Sequence, residues 1–296
     1  MSDQIPNHYR IQFADTIGLL LQQRGSKLAK TVTPGKYKGK AASPVDQFGP
    51  TTAKKRTGRY APKTPANTPT DRRWVYPSAY DWMDLIDSFD KLQTIMDPAS
   101  AYCQNATNAL GRAKDDEILA ALFGTSKTGE QGGVAITFPS GQQLSVDVGG
   151  TGSGLNVAKL RAGKKLLMSA EVDLDTDELW CPVTASQHDN LLNEIQVISS
   201  DFNGDDKPVL KDGRVDRFLG INFVHCERLL LNGASQRRVP LYAKSGVHLG
   251  VWEDVKTGVT TRDDLEGDPV QVSATGTFGA TRIEEKKVVE IPCAES

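Results

Sequence analysis

Residues 74–102 read WVYPSAYDWMDLIDSFDKLQTIMDPASAY, and the step between apolar residues changes twice within them. Trp74, Tyr76, Tyr80 and Trp82 keep the alternation of an extended strand, whose successive side chains point to opposite faces. Leu85, Ile86, Phe89, Leu92, Ile95 and Met96 then follow a helical stripe. Asp97 suits an N-cap and Pro98 the first position of a new helix. The next proline is Pro139, and Tyr102, Ala106, Ala109, Leu110, Ala113, Ile118, Ala120, Ala121 and Leu122 fit one long helix over 97–124. At about 1.5 Å per residue the stretch between the Asp97 cap and Gly124, which stops it, spans roughly 38 Å. Asp81, Asp84, Asp87, Asp90 and Asp97 run through the stretch at mixed spacings, over two kinds of element. They do not converge on one site, so they read as solvated or paired with basic groups.

Upstream, the chain changes character. RIQFADTIGLLLQQ (10–23) predicts a helix with Ile11, Ala14, Ile17, Leu20 and Leu21 on one face. From Ser26 to Pro77, prolines at 34, 44, 50, 62, 65, 69 and 77 interrupt any helix, and aliphatics are few. A structureless stretch of that length inside a compact domain is unusual, so it is either disordered or an arm ordered by a partner, and the alternations at Tyr37 and at Trp74 and Tyr76 favour an extended excursion with strand-like legs over a simple linker. Between Arg24 and Arg73 stand 13 Lys and Arg against two Asp, a net of +11, which leaves −13 on the remainder of a chain whose total is −2. A basic segment on an acidic body points to nucleic acid or to the acidic body of another copy.

Downstream, short strands are expected around 134–139 and 143–148. A helix follows over 155–170, a buried strand over 179–183, a third helix over 186–197 and a strand within GINFVHCERL. From Val239 the chain is mostly β. Helices and strands do not alternate as βαβ units, so the fold class is α+β. With 296 residues and 38% hydrophobic content the chain can bury a large core. No apolar run approaches the roughly 20 residues of a membrane span. Cys103, Cys181, Cys226 and Cys293 stand far apart without a CxxC pair, so reduced thiols are expected rather than disulfides or a zinc site.

Catalytic patterns are weak. QLSVDVGGTGSGLNVAKL (143–160) has the strand, glycine turn and helix of a phosphate cradle. Leu155 stands where a dinucleotide fingerprint needs its third glycine, and Leu155-Asn156 stand where a P-loop needs Lys-Ser/Thr. VDLDTDEL (172–179) lacks the glycine and terminal glutamate of a calcium loop, and DFNGDD (201–206) fails similarly. His8, His188, His225 and His248 are isolated in sequence, outside HExxH or GxSxG contexts. No catalytic residue, cofactor or metal is expected.

The order of elements resembles the major capsid proteins of tailed bacteriophages, the HK97-like fold. RRWVYPSAYDWMDLIDSFDKLQ looks like the returning leg of that family's extended loop. DPASAYCQNATNALGRAKDDEILAALFGTS looks like its spine helix, with a GR-x-x-DD-x-I-x-x-A-x-x-G ending. LYAKSGVHLGVWEDVKTGVTTRDD and SATGTFGATRIEEKKVVEI look like its closing strands. The resemblance implies an N-terminal arm (1–28), an extended basic E-loop (29–80), a peripheral P domain (81–154, spine helix 97–124), an axial A domain (155–240) and C-terminal strands returning to the P domain (241–296).

It also implies self-assembly into hexamers and pentamers of an icosahedral shell around double-stranded DNA, made in the bacterial host cytoplasm. The stretch before the spine helix is too short for a scaffolding domain. The implied partners are therefore other copies, a separate scaffolding protein, a portal, a decoration protein where one is used, and DNA by non-specific proximity. The inter-subunit contact candidates are Lys36, Lys38, Lys40, Lys54, Lys55, Arg56, Arg59, Arg72, Arg73 and Trp74 on the loop, and Asp84, Asp87 and Asp90 facing them. A nucleic-acid-binding protein using the 24–73 arm, an enzyme using the glycine turn, and a cellular nanocompartment shell are the alternatives.

Overall fold

The computed structural model describes residues 21–42, 45–56, 58–59, 65–86, 99–198 and 213–295. The helix expected over 10–23 lies outside them except for its last three residues, which are not helical. Asp87, Asp90, the apolar positions from Phe89 to Met96, the Asp97-Pro98 cap and most of the 201–213 loop also lie outside the described residues.

One sheet carries the opening strand. Strands β1 (Thr33–Lys36) and β4 (Ser78–Ile86) flank a long hairpin of β11 (Val247–Thr261) and β12 (Val270–Arg282), in the order β1-β11-β12-β4. The residues Val247–Trp252 and Gly258–Thr261 of the stretches GVHLGVW and GVTTRDD belong to the single strand β11, with register shifts around Glu253. Opposite residues share a face, and Tyr80, Trp82 and Ile86 stand across from Gly276, Ala274 and Val270. That face meets the helix α1 (Ala99–Phe123), where Ala106 and Leu110 bury themselves against Ala274, Tyr80 and Trp82. The later half of the aromatic alternation, Tyr80 and Trp82, is therefore a packing pattern against α1, whereas Trp74 and Tyr76 precede β4 and take no part in it.

The helical stripe is corrected at its start. Leu85 and Ile86 continue β4, opposite Gln271 and Val270. Leu85 points outward and is 44% exposed, whereas Ile86 points inward and is 7% exposed. Adjacent residues on opposite faces is strand geometry, and β12 supplies the hydrogen bonds that a helix would have made internally. At its other end α1 stops where expected, with the Gly124 N–H still reaching Ala120 O at 2.8 Å.

The second sheet runs β13 (Val288–Cys293), β10 (Arg237–Ala243), β7 (Leu179–Val183), β9 (Ile221–His225) and β8 (Arg217–Phe218). Its β7–β9 pair is parallel and the other pairs antiparallel. Helix α2 (Val157–Ser169) packs on β13. The single helix expected over 186–197 is two, α3 (Ala185–Leu192) and α4 (Ile195–Ile198). The break follows Asn193, where the Glu194 N–H bonds Leu191 O, an i−3 contact that ends the α pitch. The strand expected over 143–148 is not formed. Only Gln143 bridges Glu290, and Val148 N turns back to Ser145 O, because Ser145, Asp147 and the following glycines favour turns.

A third sheet, β2 (Asp46–Phe48), β3 (Thr70–Trp74), β5 (Ser126–Thr128) and β6 (Val134–Ile136), forms the root of the basic hairpin. One continuous core joins the second sheet to the C-terminal half of α1 and to Leu28 and Val32, both fully buried. The few aliphatics at the start of the proline-rich stretch thus plug into the body. The architecture is mixed helix and sheet, the α+β class expected.

Candidate assembly interface

The basic hairpin leaves the body between β2 and β3. Arg72 donates to both oxygens of Asp46 across the pair, at 2.6 and 3.2 Å, and its guanidinium lies 5.9 Å from the Trp74 ring centroid. The Trp74 Nε1–H donates to Gly129 O at 2.7 Å, pinning β3 to the turn between β5 and β6. Arg73 points the other way and is buried. It donates to Glu285 Oε2 at 2.8 Å and to Gln47 Oε1 at 3.2 Å. Alternation along β3 therefore divides two adjacent arginines that look alike in sequence. Arg72, Arg73 and Trp74, expected at an inter-subunit contact, make these contacts within their own chain.

The basic residues of the segment face outward: Lys36 at the end of β1 and Lys38 and Lys40 before β2 are exposed, as are Lys54, Lys55, Arg56 and Arg59 beyond the root. Arg56 closes a local turn by donating to Gly58 O at 2.8 Å and to Arg59 O. The counter-charge sits on the tongue formed by β4, β11 and β12. Asp81 and Asp84 are exposed on β4, and the Asp84 carboxylate accepts from the adjacent Leu85 N–H at 2.9 Å. At the tongue's tip Asp263, Asp264, Glu266 and Asp268 are exposed, with Arg262 bonded to Asp264. The hydrogen bonds from Arg262 hold the Asp264 carboxyl below its usual range.

Two clusters escape sequence reasoning. Arg282 is fully buried, and its Nη1 donates to Leu122 O at 2.8 Å and Gly124 O at 2.9 Å. It thus satisfies carbonyls that the end of α1 leaves without helical partners. Burial pulls the Arg282 guanidinium below its usual range. The second cluster is the GR-x-x-DD sequence of α1. Asn108 Oδ1 accepts from Gly25 N at 3.0 Å, and Arg112 donates to Gln22 Oε1 at 2.8 Å and Gln23 O at 3.2 Å. Buried Asp115 accepts from Gln23, Ser26, Lys27 and Leu28. The i, i+3 and i+4 spacing of these residues was the visible signal; their partners, some 90 positions upstream, were not.

The glycine turn has a structural account. Asn156 caps α2 by accepting from Lys159 N at 2.8 Å, so its own chain occupies that helix end. Buried Lys159 donates to Ser153 O and Pro292 O at 2.6 and 2.9 Å. In the acidic turn, Asp173 accepts from Asp175 N and from the Thr176 hydroxyl. Among the described residues, no group of three or more His, Cys, Asp or Glu is placed to hold a metal ion.

A long helix crossing a β-tongue, a mixed-sheet body and an extended basic hairpin together define a shell subunit of the HK97 type. The chain belongs to the phage capsid protein family, whose model matches residues 5–295. The capsid structure of cyanophage P-SCSP1u is similar with a TM-score of 0.75 at 15% identity, over 98% of this chain and 94% of that one. The capsid of cyanophage Pam1 gives 0.71 at 13% identity, over 100% of both chains. The capsid of Ralstonia phage GP4 gives 0.69 at 12% identity, over 100% of this chain and 98% of that one. Among curated proteins, no sequence matches. The protein is a major capsid protein, a structural component of the virion shell that associates with its own copies, and not an enzyme.

Proposed function

We propose that the shell is icosahedral, built of hexamers and pentamers around a double-stranded DNA genome, and that the basic hairpin of each copy docks on the acidic tongue of a neighbour. The observation that carries this reading is the division of charge within one subunit. Lys54, Lys55 and Arg59 are exposed on the hairpin and Lys38 and Lys40 on the stretch that leads into it, and Asp81, Asp84, Asp263, Asp264 and Glu266 on the tongue. Each exposed ion pair contributes only about 0–1 kcal/mol, but a closed shell repeats the contact at every subunit. An extended arm with little apolar surface of its own gains order by lying on a partner. Closure also requires one surface to meet its complement repeatedly, and a hairpin rich in proline and glycine accommodates the small changes of angle.

On this reading the protein assembles in the bacterial host cytoplasm. Its partners are a separate scaffolding protein, a portal and, where the shell carries one, a decoration protein. Packaged DNA is a neighbour through non-specific proximity. Negative-stain microscopy of the purified protein, alone and with scaffolding protein, is expected to show hexamers, pentamers or closed particles. A monodisperse monomer under every condition overturns the reading.

A further inference from the structure

Three consecutive carboxylates on α1 hold three different parts of the subunit. Asp115 holds the root of the N-terminal segment, accepting from Ser26 Oγ at 2.5 Å and Leu28 N at 3.1 Å through one oxygen, and from Gln23 Nε2 at 2.5 Å and Lys27 N at 3.0 Å through the other. Asp116 engages Arg228, just beyond β9 in the five-stranded body, with one oxygen 2.6 Å from Nε and the other on Nη2. Glu117 accepts from the Tyr80 hydroxyl at 2.6 Å, on β4 of the tongue. Successive helix residues are rotated by about 100°, so three adjacent side chains fan out in three directions.

The three contacts differ in protection. Asp115 is fully buried. Tyr80 is half-buried and stacks on Phe278, with ring centroids 4.9 Å apart and planes 8° from parallel. Asp116 and Arg228 are open to water, with side chains 45% and 38% exposed. Exposed pairs add little to folding. This one is bidentate, however, which fixes a relative orientation as well as a distance. It joins the body to the helix on which the tongue rests.

We propose that the Asp116–Arg228 pair sets the angle between the five-stranded body and the β-tongue about α1, and through that angle the curvature of the shell. The inference rests on the shell reading above. Over a 25-residue helix, about 37 Å long, a change of about 5° moves the far end by about 3 Å. Repeated in every copy, such a displacement changes the radius at which contacts close.

The test compares wild type, Arg228→Ala, Asp116→Asn and the exchanged double variant Asp116→Arg/Arg228→Asp, assembled under one condition. Particle diameters are measured by electron microscopy and subunit melting by calorimetry. The single variants are expected to melt within a few degrees of wild type while mean diameter shifts, or its spread widens, by about a tenth or more. The exchanged pair is expected to restore the wild-type distribution. If the single variants form no particles, restoration by the exchanged pair supports the proposal. Unchanged diameters, failure of the exchange to restore them, or loss of the folded subunit in Arg228→Ala overturns it. Failure of the shell reading itself is distinguishable, because wild type would then form no particles.

Discussion

The Arg73 guanidinium donates to the Glu285 carboxylate at 2.8 Å, tying the root of the basic hairpin to the turn that precedes β13. The same carboxylate lies 3.8 Å from Nε of Arg282, which holds the end of α1. One acidic group therefore stands between two buried cations, on elements more than 200 residues apart for Arg73. Removing its charge leaves both guanidiniums in a low-dielectric setting with less compensation. Glu285→Gln is expected to destabilise the isolated subunit by about 3 kcal/mol. At roughly 2–4 °C per kcal/mol, that is a melting shift of about 6–12 °C, read by calorimetry.

Gly111→Ala sets two effects against each other. Alanine favours a helix interior over glycine by about 1 kcal/mol. A Cβ at 111 would lie 2.5 Å from Gly25 C and 2.8 Å from Ser26 N, both backbone atoms. That backbone cannot retreat without giving up the hydrogen bonds from Gly25 N to Asn108 and from Lys27 N and Leu28 N to Asp115. The steric term is expected to win. The variant should melt lower than wild type, and trypsin should cut after Arg24 and Lys27 faster. A higher melting temperature with unchanged cleavage would show that the root is not held as described.

What the sequence disclosed follows from the range over which each signal acts. The long helix and its stop at Gly124 were legible because period and glycine punctuation are local. The pair Leu85-Ile86 was misread because two adjacent apolar residues fit either period. The deciding partner, β12, lies almost 200 positions away. Arg73 could not be told from Arg72, since alternation shows that two neighbours face opposite ways but not which one faces inward. The GR-x-x-DD sequence was visible as a motif, yet its role rests on Gln23, Ser26 and Leu28, which carry no pattern of their own. Counting alone disclosed a basic segment over 24–73 on an acidic remainder, but not where on that remainder the acidic groups gather, which depends on how β4, β11 and β12 are brought together.

A pH dependence follows from His248. It lies in β11 with little exposure, and its Nε2 is 2.8 Å from the Tyr37 hydroxyl. Burial pulls its pKa from 6.5 down to about 4. The folded state therefore prefers the neutral ring, while the unfolded chain takes up a proton from about pH 6.5 downward. The stability it contributes is full above pH 6.5 and is lost as pH falls toward 4. His248→Gln is expected to remove this slope, so its stability difference from wild type should narrow between pH 7 and pH 4. A constant difference across that window, measured by denaturant titration at each pH, would show that His248 is not the responsible group.

Charge reversal separates assembly from folding. Asp84 is exposed on β4, and Asp87 and Asp90 follow it in sequence. An exposed substitution away from caps and core contacts changes stability by about 0.5 kcal/mol or less, so Asp84→Lys alone should leave subunit melting almost unchanged. If the tongue receives a neighbour's hairpin, the reversal of Asp84, Asp87 and Asp90 to lysine places like charges at every such contact in the shell. Particle yield is then expected to fall at least tenfold, and raised salt should recover part of it by screening the repulsion. The reciprocal changes Lys54→Glu and Lys55→Glu on the hairpin should recover more, because they restore attraction rather than merely weakening repulsion. Normal particle yield from the triple reversal would place the contact on another surface. Recovery with salt but not with the reciprocal changes would keep the tongue as an interface and assign it a different cationic partner.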